Sequence, residues 1–203
     1  VVPSLHHGRP ILNDKQNLRR KLRKARRQHV DGLPGVTRAL LFRRPPAPLT
    51  ALIPQDAIIG LYQANDAEAP TASYADFFFE GGHTLALPYF SRKDSAMEFR
   101  AHADPFDETG LEAGPFDILQ PRSGADTLIP DVLFAPLLGF TQTGARLGQG
   151  GGHYDRWLAK HPDTIAIGLA WDAQLVESLP LEPHDASLTA IVTPTRLYGP
   201  FHA

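Results

Sequence analysis

IPDVLFAPLLGFTQTGARLGQGGGHYDRWLAK, residues Ile129 to Lys160, decides the fold. Val132-Leu133-Phe134-Ala135, running into Pro136, is a short unbroken apolar segment, the pattern of a strand buried on both faces. A polar turn from Thr141 to Gly144 leads to Arg146-Leu147-Gly148-Gln149 and then to Gly150, Gly151 and Gly152. His153-Tyr154-Asp155-Arg156-Trp157-Leu158 reads as the opening turns of a helix. Glycines between a strand and a helix let backbone N–H groups converge on one point, and the helix start adds partial positive charge. An anion, most often phosphate, suits such a place. Arg146 offers a cation on one side and Asp155 a metal ligand on the other. No Gly-Lys-Ser/Thr follows, so this is not a Walker A loop, and His153 stands where the dinucleotide fingerprint needs its last glycine. Physical reasoning alone leaves a phosphate cradle and a plain glycine-rich turn both open.

The ordered match of Arg146 to Arg156, RLGQGGGHYDR, closely resembles the signature of the 5-formyltetrahydrofolate cyclo-ligases, Arg-Leu-Gly-x-Gly-x-Gly-Tyr-Tyr-Asp in most members. The preceding Pro-Asp-x-x-x-x-Pro-x-x-x-Phe, Pro130 to Phe140, matches as well. Two departures stand out: His153 replaces the first tyrosine, and Ala145 stands where a larger residue is common.

The bulk properties are compatible with this resemblance. The 203 residues suffice for one domain with a sizeable core, or at most two small ones. A formal net charge of -2 argues against a dedicated nucleic-acid binder, and the absence of cysteine excludes disulfides and thiolate chemistry. No apolar run approaches the ~18 residues of a membrane span, and no signal-peptide core is visible. Together with the resemblance, which implies an enzyme of small-molecule substrates, the expectation is a cytoplasmic monomer with no nucleic-acid or membrane partner. Residues 1–12 read as a flexible arm, and 13–203 as a single α/β domain.

Along the chain, a helix is expected to start at Asn13 or Asp14, with Leu18, Leu22 and Ala25 on its apolar face and basic residues elsewhere. These charges read as a solvated face, as an RNA-binding arm, or as a source of cations for a phosphate. A second helix is expected over 31–44, ending before Pro45-Pro46. Ala57 to Tyr62 is a continuous apolar run for a buried strand, a helix capped by Ser73 follows over 73–80, and Thr84 to Tyr89 is the next strand. Strand, loop, helix, strand is the grammar of a parallel sheet, in which ligands bind beyond the carboxyl ends of strands. Met97 and Phe99 share one side of a short strand. Thr164 to Trp171 and Ala190 to Thr193 are further strands, with a helix expected over 172–178. The predicted fold is a three-layer α/β/α sandwich with a mostly parallel sheet, like sugar-phosphate isomerases and CoA transferases.

The resemblance implies a site for ATP and 5-formyltetrahydrofolate. The family opens on a Lys-x-x-x-Arg helix that touches ATP, which falls on Lys15 and Arg19, four apart on one helix face. Its glycine loop implies nucleotide contacts from Arg146, Leu147, Gly148, Gln149, Gly150, Gly151, Gly152, His153 and Tyr154. Its Glu-x-x-Thr element falls on Glu68 to Thr71, its Met/Leu-x-Phe element on Met97, and its stacking aromatic on Phe116. Glu68, Met97, Phe116, Gln149, Gly151, His153 and Tyr154 are thus the implied folate contacts. From the residues alone, Glu68 is an exposed loop acid as readily as a ligand, and Met97 and Phe116 are ordinary packing as readily as a pocket wall. Glu182-Pro183-His184-Asp185 matches the closing element, so Asp155 and Asp185 are expected to share Mg²⁺, with His184 a hydrogen-bonded structural histidine or a proton shuttle. Arg146 and Tyr154 are the expected catalytic residues. The implied reaction closes 5-formyltetrahydrofolate to 5,10-methenyltetrahydrofolate, with ATP converted to ADP and phosphate. The alternatives are a sugar-phosphate isomerase or transferase using the loop for a substrate phosphate, and an RNA-binding module working through Arg19 to Arg27.

Overall fold

The structure, a computed structural model, describes residues 10–201 except residue 184. Helices α1 (Pro10–Asp31), α2 (Gly35–Leu40) and α3 (Ala47–Thr50) come first, followed by strand β1 (Ile58–Gly60) and helix α4 (Ala72–Glu80). Strands β2 (Thr84–Tyr89), β3 (Glu98–Ala101), β4 (Leu111–Ala113), β5 (Leu119–Pro121) and β6 (Thr127–Leu128) lead into β7 (Val132–Pro136). Then come β8 (Gly139–Phe140), β9 (Arg146–Leu147), helix α5 (His153–Lys160), β10 (Ile165–Leu169), β11 (Ala190–Val192) and β12 (Leu197–Tyr198).

Eight strands form the main sheet in the order β12-β11-β10-β7-β1-β2-β3-β6. The inner five, β11 to β2, run parallel, and the pairings of β12, β3 and β6 are antiparallel. Alternation along each strand assigns its side chains to two apolar layers. Ile59, Leu85, Val132, Phe134 and Ile167 face Val30 of α1 and Tyr74 and Phe78 of α4. Ala86, Leu133, Ala166 and Ile191 face Trp157 and Leu158 of α5. Helices therefore cover both faces, which explains why β7 is buried at every position. This is the three-layer α/β arrangement with a mostly parallel sheet.

The chain leaves β1 for β2 on one side and returns to β7 on the other. That reversal opens a crevice at the carboxyl ends of β1 and β7, the place where open parallel sheets hold ligands.

Several element boundaries differ from the sequence expectation, each for a local reason. Helix α1 already begins at Pro10, because proline's fixed φ and missing N–H cost nothing in a first turn. The arm expected over residues 1–12 is therefore shorter, and residues 1–9 of it lie outside the described residues. On α1, Leu22 is buried with Leu138 and Leu147 and Leu18 packs against them, as expected, but Ala25 is exposed, and Lys15, Arg26 and Val30 turn inward as well. The helix expected over 31–44 is broken: α1 runs through Asp31, Pro34 precedes the short α2, and Phe42 takes a positive φ of 57°. Helix α4 starts at Ala72, not at a capping Ser73. Thr71 stands at its cap position, but the Thr71 hydroxyl donates to the Tyr62 carbonyl. The helix expected over 172–178 is a single 3-10 turn, Asp172–Gln174, because Leu175 and Val176 leave it to pair with Phe140. Among the described residues no helix is long and apolar enough to cross a membrane.

Candidate active site

The glycine loop lies between β9 and α5. Gly150 takes a φ of 108° and Gly152 one of 64°, backbone that L side chains rarely adopt, so glycine is needed at both. Gly152 is the N-cap of α5, and the first turn of that helix leaves backbone donors without partners inside the helix. The loop lines a cavity of ≈ 470 Å³ together with Lys15, Arg19, Arg146, Tyr154, Asp155, Glu182 and Asp185. Every residue expected to hold the nucleotide or the metal thus borders one space.

Its charges are paired internally. Arg146 is 4 % exposed, and its Nη2 donates to Asp155 Oδ1 at 2.5 Å, while the buried Nε has no partner. Asp155 Oδ1 also accepts from the N–H of Ala186 at 3.2 Å. Lys15, 2 % exposed, donates from Nζ to Glu182 Oε2 at 2.6 Å and to Asp185 Oδ2 at 2.7 Å. Burial works to lower the Lys15 pKa, but the hydrogen bonds and charges of Asp185 and Glu182 outweigh it and raise the value. Asp185 Oδ2 also accepts from the Glu182 N–H. His184 lies outside the described residues.

Helix α1 grips the loop from above. Arg19 Nε donates to the Gly148 carbonyl at 3.1 Å. Arg23 donates from Nη2 to the Gln149 carbonyl at 2.7 Å and from Nε to Gln149 Oε1 at 3.3 Å. Two of the cations on which an RNA-binding reading depends are therefore committed to the loop.

A second cavity, ≈ 460 Å³, lies beside the first, and Pro136, Gln149, His153 and Tyr154 line both. Its walls include Glu68, Met97 and Phe116, the three folate contacts expected from distant parts of the sequence. Glu68 is buried. Its Oε1 accepts from Gln149 Nε2 at 2.9 Å and its Oε2 from the Asn65 N–H at 3.1 Å. The loop carrying Glu68 is held from below by Trp171, whose indole donates to the Ala67 carbonyl at 3.0 Å. Phe116, 39 % exposed, meets Phe90 edge-on at 4.9 Å. His153 completes an aromatic corner, 4.9 Å from Phe90 and 5.7 Å from Phe116, both nearly perpendicular. Burial, reinforced by the Arg156 charge, holds His153 below the usual imidazole value, so the ring is neutral at pH 7. Burial above all, with the charge of Glu68, raises the Tyr154 pKa well beyond the usual phenol range, and Tyr154 stays protonated as a hydrogen-bond donor.

Sequence reasoning missed Arg26, Tyr62, Phe90 and Glu182 as wall residues. Glu182 was within reach, since it belongs to the quoted Glu-Pro-His-Asp element. Tyr62 lies two residues beyond β1 and Phe90 directly after β2, where site residues of a parallel sheet belong. Leu147 contributes only backbone, its side chain being buried against Leu22 and Leu138.

Asp155 and Asp185 present hard carboxylate oxygens to the same cavity. Among the described residues no group of three acidic, histidine or cysteine side chains is placed to hold a metal by itself. Two carboxylates with the remaining positions left to phosphate oxygens and water suit Mg²⁺, so the donor set fits that ion.

A glycine-loop cavity and an aromatic-walled cavity meet at the switch point of a three-layer sheet, the place where α/β enzymes hold small molecules. The 5-formyltetrahydrofolate cyclo-ligase family model matches residues 11–194 of the chain. The 5-formyltetrahydrofolate cyclo-ligase of Escherichia coli (strain K12) is 32% identical over 146 residues, 69% of this chain and 79% of that protein. That of Haemophilus influenzae is 38% identical over 142 residues, 66% of this chain and 74% of that protein. The solved structure of Aquifex aeolicus 5,10-methenyltetrahydrofolate synthetase shares the fold with a TM-score of 0.73, covering 93% of this chain and 94% of that one at 22% identity. The chain belongs to the 5-formyltetrahydrofolate cyclo-ligase family and is an enzyme of that ligase class.

Proposed function

We propose that this enzyme converts 5-formyltetrahydrofolate to 5,10-methenyltetrahydrofolate, consuming ATP with Mg²⁺ and releasing ADP and phosphate. One observation carries the reading: an aromatic, carboxylate-bearing cavity and a glycine-loop cavity share Gln149, His153 and Tyr154. A pterin in the first and a triphosphate in the second would meet at those residues.

A formamide oxygen is a poor leaving group. In the proposed reaction it attacks the γ-phosphorus, forming an O–P bond as the bond to ADP breaks. N10 then attacks the activated carbon and loses its proton, and phosphate departs as the five-membered ring closes. Little covalent work falls to the protein, whose tasks are alignment and charge neutralisation. Lys15, Arg19, Arg146 and the backbone of Leu147 to His153 hold the triphosphate, and Asp155 and Asp185 would hold Mg²⁺, which would supply positive charge to neutralise the transferring phosphoryl group. A further hollow of ≈ 830 Å³, beyond Gly150 to Gly152 and reaching Asp155 and Asp185, leaves room for the nucleoside. Glu68 accepts hydrogen bonds from the amino-and-amide edge of the pterin, while Met97, Phe90, Phe116 and His153 enclose its faces. Tyr154, standing between the cavities, donates to the oxygen in transfer. The enzyme acts as a cytoplasmic monomer on these two small molecules, as one α/β unit that includes all of α1, without a nucleic-acid partner.

The test is spectrophotometric. Supplied with 5-formyltetrahydrofolate, the enzyme should generate methenyl-folate absorbance only when ATP and Mg²⁺ are both present. Folded protein that gives no signal, or a signal independent of ATP, overturns the proposal.

A further inference from the structure

The wall between α1 and the aromatic cavity contains a charge that the reaction above does not employ. Arg26 is 5 % exposed and lines the ≈ 460 Å³ cavity. Its Nη1 donates to the Leu137 carbonyl at 3.3 Å and stands 3.5 Å from Glu68 Oε1. Its Nε is buried without a hydrogen-bond partner. The neighbouring Lys24, Ala25 and Arg27 all face outward. Taking a guanidinium out of water is expensive, and burial pulls the Arg26 pKa down while the Glu68 charge pulls it up. A buried ion pair is weak evidence for stability, so its persistence here calls for a role at the cavity.

The cavity supplies that role. Among the described residues that line it, Glu68 is the sole acid. Each of its oxygens already accepts one fixed donor, from Gln149 and from the Asn65 N–H, which leaves lone pairs on both for a ligand. A carboxylate is useful as an acceptor pair only while it is charged and immobile, and a buried carboxylate needs a counter-charge.

We propose that Arg26 is a positioning residue for folate recognition: it neutralises and steadies Glu68 from behind, so that the carboxylate meets the donor edge of the pterin, and it sets affinity for the folate and not for the nucleotide. The proposal rests on the cyclo-ligase reading above. The ligand class it assigns to the Arg26–Glu68 pair is a flat heterocycle presenting two adjacent N–H donors.

The experiment is a steady-state cycle over wild type, Arg26→Gln, Glu68→Gln and the double variant, varying 5-formyltetrahydrofolate and Mg-ATP separately. Arg26→Gln should raise the folate KM by at least about tenfold and leave the Mg-ATP KM within about twofold of wild type. In the Glu68→Gln background the same change should move the folate KM by less than about twofold, because its partner is already gone. A fully additive cycle, an unchanged folate KM, or an equal rise in both KM values overturns the proposal. Should Arg26→Gln fail to fold, Arg26→Lys carries the test: an ammonium keeps the counter-charge, so the folate KM should stay within about threefold of wild type, and a selective rise of about tenfold or more overturns the role. Wild-type protein inactive on 5-formyltetrahydrofolate would instead sink the cyclo-ligase reading, which separates the two failures.

Discussion

Replacing Arg146 by alanine tests the nucleotide cavity where it is most tightly built. Arg146 Nη2 lies 2.5 Å from Asp155 Oδ1, and the two side chains are 2 % and 18 % exposed. With an effective dielectric near 20, unit charges at that separation attract by roughly 6–7 kcal/mol. Desolvation of the two ions offsets most of this. After the change Asp155 keeps its bond from the Ala186 N–H and gains water through its exposed edge. A net loss of about 2–3 kcal/mol is therefore expected, which lowers the melting temperature by ~5–10 °C for a chain of this size. The catalytic effect is larger. Losing a donor aimed at a transferring phosphoryl group costs about a hundred- to a thousandfold in kcat. Arg146→Lys should recover part of the rate, since it keeps the charge but loses the planar fork. Thermal melts and ATP-dependent methenyl-folate formation read both effects on one preparation. An Arg146→Ala enzyme with wild-type kcat and Mg-ATP KM refutes the cradle assignment, and an unchanged melting temperature refutes the energetic account of the pair.

Other perturbations address separate parts of the molecule. Asp155→Ala should abolish turnover while circular dichroism stays native, and wild-type rates in that variant would break the metal assignment. His153→Tyr restores the family's usual residue in the corner made with Phe90 and Phe116, and should lower the folate KM by about two- to fivefold with no change for Mg-ATP; a shift in the Mg-ATP KM alone would contradict that placement. Trp171→Phe removes the indole bond to the Ala67 carbonyl, at a cost of about 1–2 kcal/mol in urea unfolding, with a raised folate KM because the Glu68 loop loses its support. Burial lowers the His102 pKa against the opposing charge of Asp104. The unfolded chain, with an ordinary value near 6.5, takes up that proton first as pH falls. The His102 contribution is thus constant above that value and is lost progressively below it, by at most ~1.4 kcal/mol per pH unit. Urea midpoints at pH 5 and 7 should differ less in His102→Gln than in wild type.

The parallel core was legible in the sequence because strands covered on both faces must be apolar throughout, and Val132 to Pro136 could hardly be anything else. The glycine loop was legible for the complementary reason: two positive-φ positions restrict the residue type. Arg26 was not, since in a run of cations nothing local distinguishes the one that turns inward. What turns it is Glu68, 42 positions away, and the long-range partners of Lys15 are equally invisible to helical periodicity. The same blindness explains Ala25. Its side chain is apolar, but the face it occupies is set by where Lys15, Leu22 and Arg26 find their partners. The helix expected over 172–178 failed because Phe140 offers Leu175 and Val176 a pairing that their own propensities do not announce.

Helix α1 reaches across the whole length of the molecule's history. Lys15 meets acids 167 and 170 residues further on, and Arg23 meets Gln149 after an interval of 126. On the ribosome this helix emerges early and then waits for Glu182 and Asp185 before its buried ammonium has anywhere to go. Nascent intermediates can form much of the sheet before the ion pairs of Lys15 close, and on the proposed function they would gain less from nucleotide than the finished fold. On the proposed function, ligand stabilisation would thereby favour molecules whose most separated segments have already met.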